Sequence, residues 1–138
     1  MSLVLDSSVT LAWFFQEEET QAVLDVMRQV ETDIAYVPSS LWKLEVANSL
    51  TVAVRRKRMD VKKRDICLDS LYQLNIQFDN GSQQHAWNNT LQLADQFDLT
   101  LYDATYLELA QRLVLPLASL DKDLRAAADA LGISLLGV

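Results

Sequence analysis

Four acidic residues in this chain of 138 stand where chemistry is ordinarily placed. Asp6 closes the apolar run Leu3-Val4-Leu5, and Asp121 comes two residues after the run Leu117-Ala118-Ser119. Glu45 lies on a long segment of helical pattern that begins near Leu41, and Asp103 stands at the head of another after Leu101-Tyr102. Read singly, each acid has an ordinary structural use. Asp6 suits a helix cap and Glu45 a solvated helix face, while Asp103, Asp121 and Asp123 suit first turns, where a carboxylate complements the macrodipole. Gathered into one pocket they would act differently. Two unit charges 4 Å apart repel by roughly 4 kcal/mol at an effective dielectric of 20, so such a cluster requires protons or cations. Hard oxygen donors without His or Cys select Mg²⁺ or Mn²⁺, which activate water and clamp the oxygens of a phosphodiester during in-line displacement. Glu45 and Asn48 are three residues apart and share a helix face, beside an apolar stripe read as Leu44, Ala47 and Val54.

Other chemistries find little support. One cysteine and one histidine do not make a zinc site. There is no Gly-rich phosphate loop, and His85 sits in a polar stretch where it is given no catalytic role. Cys67, among Ile66, Leu68 and Leu71, reads as a buried structural thiol, and a single cysteine fits a reducing, cytoplasmic setting.

The elements that must position these acids follow from periodicity and punctuation. Leu3–Leu5 reads as a buried strand, and Ser7 or Ser8 caps a helix running to Phe15. A helix is expected over 17–30, a strand over 35–37 ended by Pro38, and a long helix capped by Ser39 or Ser40 that reaches Arg58. Further helices are expected over 61–73, from Ser82 to about 96, over 102–113, and from Asp121 to a stop at Gly132. Strands over 75–78, 117–119 and 134–136 complete the reading. Alternating strands and helices imply a parallel sheet covered on both faces, with ligands beyond the carboxyl ends of the strands.

Half of the residues are hydrophobic and only 3 are Gly and 2 Pro, as expected of one helix-rich domain over residues 1–138. No apolar run approaches the ~18 residues of a membrane span, and no signal-peptide core is visible. The net charge is -7, yet seven of the 12 Lys and Arg fall within residues 55–64 beside the single acid Asp60. That balance argues against coating duplex DNA, while Arg55, Arg56 and Arg58 remain candidates for holding a phosphate backbone.

Taken together, these segments resemble the PIN-domain family, and within it the VapC toxins of bacterial toxin–antitoxin pairs. Leu3-Val-Leu-Asp6-Ser-Ser-Val is similar to the family's first strand, which ends in Asp, and Leu41-Trp-Lys-Leu-Glu45-Val-Ala-Asn48 to its Glu-x-x-Asn helix. Leu101-Tyr-Asp103-Ala-Thr-Tyr resembles its third acidic motif, and Leu117-Ala-Ser119-Leu-Asp121-Lys-Asp-Leu124 its fourth, with Ser119 where Thr is frequent. The closing Ala130-Leu-Gly132-Ile-Ser-Leu-Leu also fits. The resemblance implies a three-layer α/β/α sandwich around a four- or five-stranded parallel sheet. It implies cleavage of single-stranded RNA with Mg²⁺ or Mn²⁺, catalytic residues Asp6, Glu45, Asp103 and Asp121, and metal held by Asp6, Asp103 and Asp121. Ser7, Asn48 and Ser119 would support them. It further implies a homodimer and a cognate antitoxin, with Phe14, Phe15 and Trp42 as candidate walls of the antitoxin's groove. A catalytically silent PIN-type module and a receiver-like binding module are the alternatives. A receiver would carry paired acids after strand one, where Asp6 stands alone, and a haloacid-dehalogenase-type phosphatase would need Asp where Ser8 stands.

Overall fold

The three residues of β1 (Leu3–Leu5) are all fully buried. Successive strand side chains point to opposite faces, so burial of all three requires helices on both sides of the sheet. The computed structural model, which describes residues 1–138, shows such an arrangement. The chain runs from β1 through α1 (Ser7–Ala12), a 3₁₀ turn (Gln16–Glu18) and α2 (Gln21–Thr32) to β2 (Ala35–Pro38). It continues through α3 (Leu41–Arg55) and α4 (Val61–Leu71) to β3 (Ile76–Asp79), then α5 (Ser82–His85), α6 (Asn89–Phe97) and α7 (Leu101–Leu113). β4 (Leu117–Ala118), α8 (Lys122–Ala130) and β5 (Leu135–Leu136) close it. All five strands are parallel, in the order β3-β2-β1-β4-β5.

The chain builds outward from β1 to β3, then returns to place β4 on the other side of β1. The reversal falls between β1 and β4, and a crevice at the carboxyl ends of strands flanking such a switch is where open α/β sheets bind ligands. This order also sets aside the receiver-like alternative, whose sheet runs 2-1-3-4-5.

Several helices differ from the sequence expectation for local reasons. The second helix starts at Gln21 because the Thr20 hydroxyl caps it, accepting from the Val23 N–H at 3.2 Å; residues 16–18 form a separate turn. α1 ends at Ala12, short of Phe15, and the residue at its cap position is Asp6, whose side chain makes no capping bond. Ser40 precedes α3 at φ 70° without a side-chain cap, and α3 stops at Arg55, with Lys57 at φ 60° turning the chain. The helix expected from Ser82 is two helices, broken at Asn88. On α3 the buried face is Trp42, Val46, Leu50 and Ala53, whereas Leu44 is 68% exposed. The stripe read through Leu44 is therefore wrong: Leu44 and Trp42 lie about 200° apart around the helix, at ~100° per residue. Cys67 is buried as expected, and burial pushes its thiol up, away from reactivity. No helix is long and apolar enough to cross a membrane.

A buried ionic knot anchors α7, the helix that carries Asp103. Glu108 is 2% exposed and accepts from Arg112 Nε at 2.6 Å, and the Arg112 guanidinium also grips Asp79 at the carboxyl end of β3, at 2.7 and 3.2 Å. Ser82 Oγ donates to Asp79 at 2.9 Å. Burial alone would raise Asp79, but the Arg112 and Ser82 bonds outweigh it and hold the carboxyl below its ordinary value. Gly81 makes room for the knot, since a Cβ there would stand 2.9 Å from Arg112 Nη1. Removing one partner of a buried pair strands the other charge, at a cost of about 3–5 kcal/mol. Arg112→Ala should therefore lower unfolding stability in urea by about 3 kcal/mol or more. A loss below about 0.5 kcal/mol, the range of ordinary surface changes, would show that α7 is held by its apolar contacts alone.

Candidate active site

Asp6 is the residue immediately after β1, and its backbone continues the ladder: the Asp6 N–H donates to the Ala118 carbonyl at 3.0 Å. The Leu5–Ala118 register of the β1–β4 pair thus delivers Asp6 beside the β4–α8 connection. The Asp6 side chain is only 3% exposed. Two hydroxyls meet its Oδ2 atom, Ser8 Oγ and Ser119 Oγ, each donating at 2.7 Å. Each hydroxyl also accepts from the connection after β4: Ser8 from the Leu120 N–H at 3.0 Å, Ser119 from the Asp121 N–H at 3.1 Å. Asp6 is therefore tied to the segment that carries Asp121 by two parallel bridges. Asp121 caps α8, its Oδ1 accepting from the Leu124 N–H at 2.8 Å. The capping role foreseen for Asp121 and its place beside Asp6 are both realised.

Ser7 links the next acid. Its hydroxyl lies 3.3 Å from Glu45 Oε1 and 3.4 Å from Asp6 Oδ1. With one proton it can donate to only one carboxylate at a time. Glu45, half-buried on α3, is met on the same Oε1 by the Tyr106 hydroxyl at 2.5 Å. Asp103, also half-buried, sits in the first turn of α7, where the Thr100 hydroxyl caps the helix by accepting the Asp103 N–H at 3.1 Å.

The electrostatics record the crowding. Burial raises the Asp6 carboxyl; the Ser8 and Ser119 bonds oppose that, and the charge of Asp121 adds to it. Glu45 is raised by burial and then by Asp6, against the Tyr106 and Ser7 bonds. Asp103 is pushed up to about 6, by burial first and then by the charges of Asp121, Asp6 and Glu45. All four acids therefore share one field. They stand near one another rather than meet at a point: no three of them are close enough to enclose a metal ion between them.

The remaining candidates fall at the margin. Asn48 is exposed and lines a cleft of about 490 Å³ together with Ser8, Leu120, Asp121 and Arg58. Arg55 and Arg56 are exposed at the end of α3. Arg58 is folded back, paired with Glu17 and stacked 4.4 Å from the Phe15 ring centre. Phe15 and Trp42 are core residues, 9% and 3% exposed. Trp42 also walls an apolar groove of about 320 Å³ with Val46, Leu68, Leu71 and Phe78. Its indole N–H donates to the Thr10 hydroxyl at 3.0 Å, pinning α3 to α1 behind the acids. Two site residues were given no such role on sequence grounds. Ser8 reads as a helix cap, and Tyr106 only as the last residue of the Asp103 motif with no role of its own; its signal is a position three residues after Asp103, on the same helix face.

No curated protein matches the chain in sequence. Among solved structures, PAE2754 from Pyrobaculum aerophilum is similar, with a TM-score of 0.66 and 22% identity over 92% of this chain and 87% of that one. VapBC2 from Rickettsia felis, bound to a DNA fragment from their promoter, also aligns with a TM-score of 0.66, at 11% identity over 98% of this chain and 97% of that one. At such identities the likeness speaks for the fold. The family model of the PIN domain matches residues 3–130, the whole span from β1 to the end of α8. The sheet order, the acids at its carboxyl edge and this match lead to one conclusion: the chain belongs to the PIN domain family.

Proposed function

We propose that the chain is a divalent-cation-dependent endoribonuclease acting on single-stranded RNA, with Asp6, Glu45, Asp103 and Asp121 as its catalytic acids. The observation that carries this reading is the set of hydroxyls between the acids: Ser7 stands between Glu45 and Asp6 and donates to one or the other, and Ser119 joins Asp6 to the Asp121 backbone from the other end of the chain. The donor set fits Mg²⁺ or Mn²⁺, being all oxygen with no His or Cys in it. Glu45 and Asp121 each take their side-chain hydrogen bonds on one carboxylate oxygen and leave the other for a ligand, and Asp6 Oδ1 carries only the long Ser7 contact.

Asp6, Asp103 and Asp121 are the residues that would hold the ion, in part through its own waters, which Mg²⁺ usually keeps, since no three of the acids enclose an ion directly. When bound, it supplies Lewis acidity and charge neutralisation at the scissile phosphate. The chain's own groups do the rest. Ser8 and Ser119 fix Asp6 and favour its ionised form against burial. Ser119 also holds the Asp121 backbone in place. Glu45, raised above its ordinary value, is suited to take the proton of an attacking water, because a base improves as its pKa approaches the working pH. Asn48, Asp121 and Arg58 line one cleft, a path for the RNA backbone; beyond it the exposed Arg55 and Arg56 offer phosphate contacts, and Arg58 would join them on leaving Glu17.

The likeness to VapC toxins adds two partners, a second copy of the chain and a small antitoxin. The apolar groove beside Trp42 and Phe78 suits an antitoxin segment. Co-expressed with a small protein encoded beside it, the chain should purify as a complex that no longer cleaves RNA, and alone it should sediment as a dimer. A monomer at high micromolar concentration would contradict the dimer, and undiminished cleavage by the complex would contradict the antitoxin.

Asp103→Asn tests the site through two readouts. Cleavage should fall 100-fold or more, about 3 kcal/mol, and Asp6→Asn should behave alike. Stability should move the other way. The folded value of Asp103, about 6, lies above its ordinary 3.8, so the native state binds more protons between the two. The group's contribution is full below pH 3.8 and is lost as pH rises through 6. Without metal, Asp103→Asn should then melt roughly 2–4 °C above the wild type at pH 8, with the gap closing toward pH 4. Full cleavage in excess EDTA, or by Asp6→Asn, would overturn the metal-dependent reading.

A further inference from the structure

Tyr106 is fully buried on α7, one helical turn from Asp103, and its ring packs among core residues that a phenylalanine would join equally well. Its hydroxyl is what needs explaining. A buried phenolic O–H must find an acceptor. Here the acceptor is no backbone carbonyl but Oε1 of Glu45, 61 residues away in sequence, at 2.5 Å. That length lies at the short end of the range for a hydroxyl bound to a carboxylate, about 2.5–2.7 Å, where such bonds are strongest. Burial, and then the charges of Asp6 and Glu45, push the phenol far above its ordinary value, so it stays a donor.

The second donor to Oε1, Ser7, is longer at 3.3 Å, and its proton is shared with Asp6. Tyr106 is therefore the committed partner. With Oε1 occupied, Oε2 is the oxygen left to accept a proton. From this geometry, and resting on the ribonuclease reading above, we propose that Tyr106 is a positioning residue: it fixes the Glu45 carboxylate so that a single oxygen serves as proton acceptor. One helix then delivers both an acid of the pocket, Asp103, and the group that aligns another. Tyr106 touches no substrate in this account and acts only through Glu45.

Tyr106→Phe keeps the buried ring and removes the bond. Misplacement of a reacting group by about 1 Å costs on the order of 100-fold, so kcat on a saturating short RNA with Mg²⁺ should fall about 10- to 100-fold, with KM little changed. In a Glu45→Ala background the same substitution should cost nothing further. A metal-free readout accompanies this: the Tyr106 hydroxyl proton, shielded from exchange and shifted downfield by its short bond, should appear in proton NMR of the wild type. It should vanish in Tyr106→Phe and vanish or move upfield in Glu45→Ala. Wild-type kcat in Tyr106→Phe beside an inactive Glu45→Ala would overturn the positioning role alone. The same would follow from an equal loss in both backgrounds, or from a hydroxyl resonance unmoved by Glu45→Ala. A wild-type chain that cleaves no RNA would instead overturn the ribonuclease reading, and the NMR result would still decide whether the bond exists.

Discussion

The pairing of β1 with β4 is the constraint from which the rest of the site follows. Two register pairs, Val4 with Leu117 and Leu5 with Ala118, bring together segments from opposite ends of the chain. The bond from the Asp6 N–H to the Ala118 carbonyl extends that register one residue beyond the strand. Ser8 and Ser119 then fasten Asp6 to the connection that leads to Asp121. A shift of one residue would turn the strand's side chains to the opposite faces and break all of these contacts at once. Complete burial of Leu3, Val4 and Leu5 makes such a shift costly, so the apolar strand secures the polar edge.

Around that edge, the protein accepts a local electrostatic cost. Burial and mutual repulsion raise Asp6, Glu45 and Asp103, and only hydroxyls and the Ser7 backbone N–H oppose them. Three arginines are committed elsewhere: Arg112 to Asp79 and Glu108, Arg58 to Glu17, and Arg125 to the carbonyls of Ser119 and Leu136. The contrast with the knot on α7 is instructive. There a buried Glu108 is matched by an arginine at 2.6 Å, and the acids are structural. Around Asp6, Glu45 and Asp103 no such match exists, and strain of this kind is what functional sites are commonly built to hold.

Much of this was legible in the sequence, and the limits have physical causes. Asp6 and Asp121 could be placed because short apolar runs followed by an acid mark strand ends, and parallel sheets put ligands there. The strand order could not be read, since pairing depends on contacts distant in sequence. The buried face of α3 was misread because Leu44 and Ala47 offer a helical spacing as plausible as that of Trp42, Val46 and Leu50; only the packing against α1 and the sheet selects between them. Ser8 and Tyr106 escaped for a related reason. Each residue type has a commonplace use, as a cap or as core, and its polar atom gains meaning only from a partner brought near by the fold.

The central claim is that the four acids form one pocket that demands a divalent cation, and thermal unfolding of the protein with and without Mn²⁺ tests it most directly. An ion that binds the native state at 100 times its dissociation constant contributes about 2.7 kcal/mol, or roughly 5 °C or more in a domain of this size. Millimolar Mn²⁺ should raise the Tm of the wild type by that amount and leave Asp6→Asn nearly unmoved. Equal shifts in both proteins, or none in either, would contradict the account.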